Sequence, residues 1–220
     1  MATILFALLS ATLYGSADFL GGLASRRSTV MPVMIFSQLA GLITLFLVLP
    51  LLPSATATRA DFAWGALAGG ALGVGLMLLY QGLATGKMSV VAPVTAVLAV
   101  VVSAVAGIVL GDRLSMGAFL GVALAITAIT LISQDGAQKA TRGRGLGSAQ
   151  DLGAALSAGV LIGVFFAALK QSSPTSGLLP LVSARLAALV ALGAIVLWRR
   201  PPLCVGRDVV WLIVVAGALD

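Results

Sequence analysis

Histidine and glutamate are both absent from the 220 residues, and cysteine occurs once. Without His and Glu, most acid–base catalysis and most metal-site chemistry lose their usual side chains. A single cysteine, Cys204, forms no internal disulfide and says nothing about redox compartment. Charge is scarce too. Charged residues make up 9% of the chain, against about 25% in soluble domains. The glycines do not form a nucleotide-binding loop: Gly65, Gly69 and Gly70 sit in an apolar run with no Lys-Ser/Thr pair after them. With no ATPase module in the chain, any transport it performs is passive or driven by a gradient. No Lys or Arg precedes the first apolar run, and that run continues for about 20 residues, so it reads as a span and not as a cleaved leader.

What the chain does have is apolar surface. Residues of the AVILMFWYC set make up 60% of it, and the mean hydropathy is +1.14. Too few polar residues remain to cover a water-soluble globule, so the bilayer is the natural solvent. The sequence pI of about 10.5 does not indicate nucleic acid. The basic residues form no face; they sit in short gaps between apolar spans, as membrane loops require.

Seven apolar windows and the start of an eighth are long enough for membrane helices: Ile4–Leu23, Met31–Leu49, Ala63–Leu83, Val90–Leu110, Met116–Ile132, Leu152–Leu169, Leu178–Trp198, and Val209 onward. Barrel strands would alternate, whereas Val97-Leu98-Ala99-Val100-Val101-Val102 is apolar on both faces. Pro32 and Pro93 are expected in first turns, and no proline is expected deep in a span.

The chain repeats itself. Shifted by 147 positions, Gln38-Leu39-Ala40-Gly41-Leu42-Ile43 lies over Arg185-Leu186-Ala187-Ala188-Leu189-Val190. Asp61-x-x-Trp64 lies over Asp208-x-x-Trp211, and Gly70-Ala71-Leu72 over Gly217-Ala218-Leu219. Duplicated, very apolar chains are a mark of membrane transport proteins, whose sites lie between the repeats. The expected organisation is a five-helix repeat over 1–133, a polar connector over 134–150, and the start of a second repeat over 151–220. On the same shift Ser133 falls at about 280, so about 60 residues of a second copy are expected beyond Asp220.

Small residues recur every fourth position in Gly65-Gly69-Gly73, Ser103-Gly107-Gly111, Gly117-Gly121 and Gly159-Gly163. Such rows let helices approach closely in lipid. Packing within one chain is the favoured reading; a sliding surface or a contact between two copies (a homodimer) is the alternative.

Asp18 is the most informative polar residue. An Asp at the centre of a span costs roughly 2.5–3.5 kcal/mol, while nine Leu, Ile or Phe residues between Ile4 and Leu23 return about 3–5 kcal/mol. The helix inserts, but Asp18 consumes much of its margin, so it is expected to face a cavity or a partner. It suits a proton carrier, a cation site or an anchor for a substrate amine. The plainer reading pairs it with Arg26 or Arg27 near the lipid–water boundary. Under the looser alignment of the first helix, shifted by 148, Asp18 falls opposite Phe166, so only one repeat carries the acid. Tyr14 and Ser16 flank it on the same helix. Gln38 and Arg185 align across the repeats. Arg185 either binds an anionic group in the cavity, pairs with Asp18, or snorkels to headgroups, with snorkelling favoured. Tyr80 and Gln81 close the third span, and Tyr80 reads as an interfacial residue. Trp64, Trp198 and Trp211 read as belt residues, and Lys87 and Lys170 as plain loop or helix-end cations.

The run from Tyr80-Gln81-Gly82 through Gly86-Lys87-Met88-Ser89-Val90-Val91-Ala92-Pro93, and Leu110-Gly111-Asp112-Arg113-Leu114-Ser115 after it, resembles the EamA-like type of the drug/metabolite transporter superfamily. Asp112 stands where the family pattern has Glu. Tyr14-Gly15-Ser16 resembles the family's aromatic-Gly-Ser opening. The resemblance implies an all-α integral membrane bundle of ten helices in two inverted five-helix repeats around a central cavity. It also implies export or exchange of small metabolites or drugs, by proton-coupled or facilitated transport.

The leading expectation is a non-enzymatic multi-pass transporter in the plasma (inner) membrane, exporting a small-molecule substrate by alternating access. The candidate pathway is Asp18, Tyr14, Ser16, Gln38, Gln81 and Arg185. No cofactor and no metal is expected. An intramembrane enzyme acting on lipid and a non-transporting assembly subunit are the alternatives. The family habit puts the N-terminus in the cytoplasm, but that would leave only Arg59, Arg113 and Lys170 in cytoplasmic gaps. The other gaps would hold Arg26, Arg27, Lys87, Lys139, Arg142, Arg144, Arg199, Arg200 and Arg207. The charge count therefore favours an outside N-terminus.

Overall fold

The computed structural model describes residues 2–85, 88–113, 115–140, 149–200 and 206–220. They form eight α-helices: α1 (Ala2–Arg27), α2 (Val30–Val48), α3 (Arg59–Thr85), α4 (Met88–Val109), α5 (Met116–Ala140), α6 (Ala149–Leu169), α7 (Leu179–Arg199) and α8 (Arg207–Leu219). Short 3-10 turns at Leu49–Leu51 and Pro174–Ser176 complete the described secondary structure, and no strand occurs among the described residues. Helix is what hydrocarbon demands, because it satisfies backbone N–H and C=O groups within the segment. α1, α2, α3, α4, α6 and α7 are long and apolar enough to cross a membrane. The described apolar parts of α5 and α8, Met116–Ile129 and Val209–Leu219, are shorter.

Burial is inside-out relative to a soluble protein. Ile4, Leu5, Phe6, Phe46, Leu47 and Leu197 are exposed, which in lipid carries no penalty. The interior gathers Met34, Leu76, Tyr80, Leu83, Leu192, Leu212 and Ile213. α3 is the hub. Half of its apolar window is buried, against 11% for α1. It packs on α6 and α7, while α8 packs on α1 and α2. Two glycine rows explain two of the close seams. A Cβ at Gly65 or Gly69 would run into the α7 backbone at Pro180 or Ala184, and one at Gly73 would press on Ala188. A Cβ at Gly159 or Gly163 would meet Leu98 and Val102 of α4. Both rows therefore pack this chain against itself. Gly121 faces open space.

Three sequence expectations are corrected. Pro93 is the sixth residue of α4 and lies inside it, because the helix begins before the apolar window does. Its ring removes the ladder bond to the carbonyl of residue 89. Tyr80 is no interfacial residue: it is 4% exposed and fills the space left by Gly21. Arg185 does not snorkel, as described below. Trp198 and Trp211 do lie on the exterior. Lys87, Arg142 and Arg144 lie outside the described residues.

A capping box starts α3. Asp61 accepts hydrogen bonds from Thr58 N (2.7 Å) and Thr58 Oγ1 (2.7 Å), and its own N–H donates to Thr58 Oγ1 (3.3 Å). The same carboxylate accepts from Ser173 N (2.6 Å) and Ser173 Oγ (3.1 Å) in the α6–α7 connection. The repeated Asp-x-x-Trp motif thus contributes, in its first copy, a tie between two chain segments 112 residues apart.

Candidate functional site

Ala11, Tyr14, Gly15 and Asp18 share one stripe of α1, at the i, i+3, i+4, i+7 spacing. That stripe forms one wall of a cavity of about 900 Å³. Leu72, Leu76, Leu79 and Leu83 of α3 form a second wall. Ala92, Pro93, Thr95, Ala96, Ala99 and Ser103 of α4 form a third, and Ile162, Phe165 and Phe166 of α6 a fourth. Ile129 of α5 and Asp220 close it.

The lining is almost wholly apolar, and most of its polar groups are already committed. Thr95 Oγ1 donates to the Ala155 carbonyl (3.1 Å) and Ser103 Oγ to the Val100 carbonyl (3.0 Å). Asp18 is different: its carboxylate has no hydrogen-bond or ion-pair partner among the described residues. Arg26, the partner that a boundary reading would give it, instead directs its Nε to the Leu83 carbonyl (2.9 Å).

Tyr14, Leu72, Phe165 and Asp220 also line a second cavity, of about 180 Å³, which Gln38 and Arg185 enter. Arg185 Nη1 donates to Gln38 Oε1 (2.6 Å) and to Asp220 Oδ2 (2.6 Å). The Arg185 and Asp220 side chains are only 12% and 18% exposed. Gly41, one turn from Gln38 on α2, makes room: a Cβ there would lie 2.8 Å from the Arg185 guanidinium carbon. Arg185 thus stays inside the bundle, held by a neutral amide and a carboxylate. Its acid partner is Asp220 and not Asp18. Burying the ion pair is tolerable because each charge keeps a close partner.

Of the six residues expected to form the pathway, four come together here: Asp18, Tyr14, Gln38 and Arg185. Ser16 and Gln81 line neither cavity. Sequence reasoning missed Asp220. It lies opposite Gly73 under the repeat shift, and a carboxylate directly after the apolar run of α8 was the available signal.

Several helices long and apolar enough to cross the bilayer, packed around a cavity with a carboxylate on its wall, define a multi-pass integral membrane protein. The chain belongs to the EamA-like transporter family, which matches residues 1–134 and lies within the drug/metabolite transporter superfamily. Members of this family are typically transporters and not enzymes. No match to the chain was found among curated proteins or among solved structures.

Proposed function

We propose that this protein moves small metabolites or drugs across the plasma membrane, as an exporter working by alternating access. The observation that carries the reading is Asp18: an unpartnered carboxylate on the wall of a largely apolar cavity of about 900 Å³. That volume lies in the range of drug-sized sites, and such sites use a few polar groups to orient an apolar body. A carboxylate in low dielectric without a partner has two natural complements, a proton and an organic cation. An amine-bearing substrate and a coupling proton would compete for it, which is the simplest form of exchange. Tyr14, one turn away, offers the adjoining hydroxyl.

Two features support a duplicated, inverted bundle. α3 packs on α6 and α7, and α8 packs on α1 and α2, which is the reciprocal relation two interlocked repeats would have. The Arg185–Gln38 bond joins the two positions that align under the shift of 147. Equivalent residues touch each other only near the symmetry axis that relates them. On this reading, residues 1–133 and 151–220 belong to the two repeats, substrate sits between them, and the Lys/Arg count puts the N-terminus outside.

The test compares metabolites released by cells expressing the chain with those released by cells expressing Asp18→Asn. A narrow set of compounds that leaves only with the native protein supports export through Asp18. Matching profiles, both equal to an empty control, overturn it. A reporter active only in the cytoplasm, fused at Met1, refutes the orientation if it lights up.

A further inference from the structure

Ser103 and Phe166 stand on the cavity wall toward the ends of α4 and α6. Both residues also line a neighbouring cleft of about 200 Å³ between the C-terminal ends of α4 and α6. At its far end Asp112 and Lys170 form an ion pair. Asp112 follows α4 in the first half of the chain, and Lys170 follows α6 in the second. The pair is half-exposed, and a surface ion pair held only by chance would carry little meaning. Here the backbone sets it. Gly111 takes φ +97°, which favours glycine. Its N–H bonds the Ile108 carbonyl (3.0 Å), and the Asp112 N–H reaches back to the Gly107 carbonyl (2.9 Å), the paired bonds of a Schellman cap. The cap turns Asp112 back over the helix end. Gly107 leaves the space its carboxylate occupies, since a Cβ there would lie 2.7 Å from Asp112 Oδ2.

We propose that Asp112 and Lys170 form a latch that closes the cavity at the face where α4 and α6 end, and that it exists in one transport state only. The inference rests on the alternating-access reading. If two repeats exchange conformations between states, each contact is replaced by the one its aligned residues would make. The Gln38–Arg185 bond maps onto itself, so it persists as a pivot. Lys170 maps onto Leu23 under the shift of 147 and onto Gly22 under 148. Neither is charged, so no equivalent ion pair forms at the opposite face. The latch therefore biases the protein toward the state in which this face is shut. Beyond Gly159 and Gly163, which let α6 lie against α4, the row continues with Ala167, and Phe166 and Lys170 line the cleft beside it. It is this end of the seam that the ion pair holds.

The experiment reads access and not transport. In a Cys204→Ser background, Ser103→Cys is labelled with a membrane-impermeant maleimide added from the face carrying the α4–α5 connection. Asp112→Asn and Lys170→Met should each raise the labelling rate roughly 2–5-fold, the range for a half-exposed pair. Exchanging the two charges, Asp112→Lys with Lys170→Asp, should bring the rate back toward the native value. Gly107→Ala keeps both charges but makes the Asp112 carboxylate shift, and should raise the rate by less than the single charge variants do. Unchanged rates in all three, or a charge exchange that behaves like the single variants, overturn the latch. A second reporter, Ala92→Cys labelled from the opposite face, tests the rocking separately: its rate should fall as that of Ser103→Cys rises. A rise at Ser103 with no change at Ala92 keeps the ion pair as a local closure of the cleft and overturns both alternating access and the confinement of the latch to one state.

Discussion

Gly69 and Gly70 are neighbours in α3 with opposite surroundings, and substituting each by alanine gives the sharpest test of the packing. A Cβ at Gly69 falls on the backbone of Ala184 in α7, while a Cβ at Gly70 has nothing within 4 Å. Backbone cannot rotate out of the way as a side chain can, so Gly69→Ala must push α3 from α7 and shift the seam that joins the halves. Overpacking of this kind costs about 1–3 kcal/mol. Gly70→Ala removes a flexible helix residue at no steric cost and gains about 0.5–1 kcal/mol. The two variants should therefore differ by about 1.5–4 kcal/mol. For a chain of this size that is roughly 3–16 °C in the midpoint of thermal unfolding. Size-exclusion profiles of detergent-solubilised protein, after heating across a temperature series, measure it. A Gly70→Ala protein less stable than Gly69→Ala would refute the reasoning, because nothing but the α7 contact distinguishes them.

Arg185→Met should lower stability by about 3–5 kcal/mol, since it leaves the Asp220 carboxylate buried without its partner. Arg185→Met with Asp220→Asn should recover much of that loss, and thermal unfolding of the two proteins checks it. A snorkelling arginine would make the single substitution harmless. Asp61→Ala should lower the unfolding midpoint more than Thr58→Ala or Ser173→Ala, because one carboxylate serves both residues; equal midpoints for native and Asp61→Ala would remove the tie. Asp18→Asn should abolish any dependence of export on a pH gradient, and flux into proteoliposomes with and without the gradient decides it.

The helices were legible because runs apolar on both faces satisfy their backbone in lipid as helix and not as barrel strand, so hydropathy placed most of their ends within a few residues, while α5 runs on to Ala140 past the expected Ile132. The Gln38–Arg185 alignment was legible too, but not its meaning. Sequence could say that the two positions correspond, while only the fold could say that they touch. Arg185 was misread because depth in a helix does not reveal which way the side chain turns, and the room made by Gly41 comes from another helix. Tyr80 was misread for the same reason: its environment is set by Gly21, 59 positions away in the chain. Pro93 was placed in a first turn because the helix starts earlier than the apolar run that marks it. Asp18 stood out in sequence because its cost in hydrocarbon is local arithmetic. Asp112 and Lys170 did not, because a charge at a helix end is unremarkable until a second helix end brings its opposite beside it.

The interlocking of α3 with α6 and α7 also sets a timetable for synthesis. α3 is complete at Thr85, but the helix that covers its Gly65-Gly69-Gly73 face ends at Arg199. At about 5–20 residues per second, the intervening stretch of about 110 residues takes roughly 6–23 s to make. During that time the glycine face of α3 meets lipid or the insertion machinery. The first half therefore waits, inserted but unassembled, for its partner. A side chain at Gly69 much larger than alanine would leave insertion intact and impair assembly, so its products should be membrane-bound, full-length and more open to proteases than the native protein.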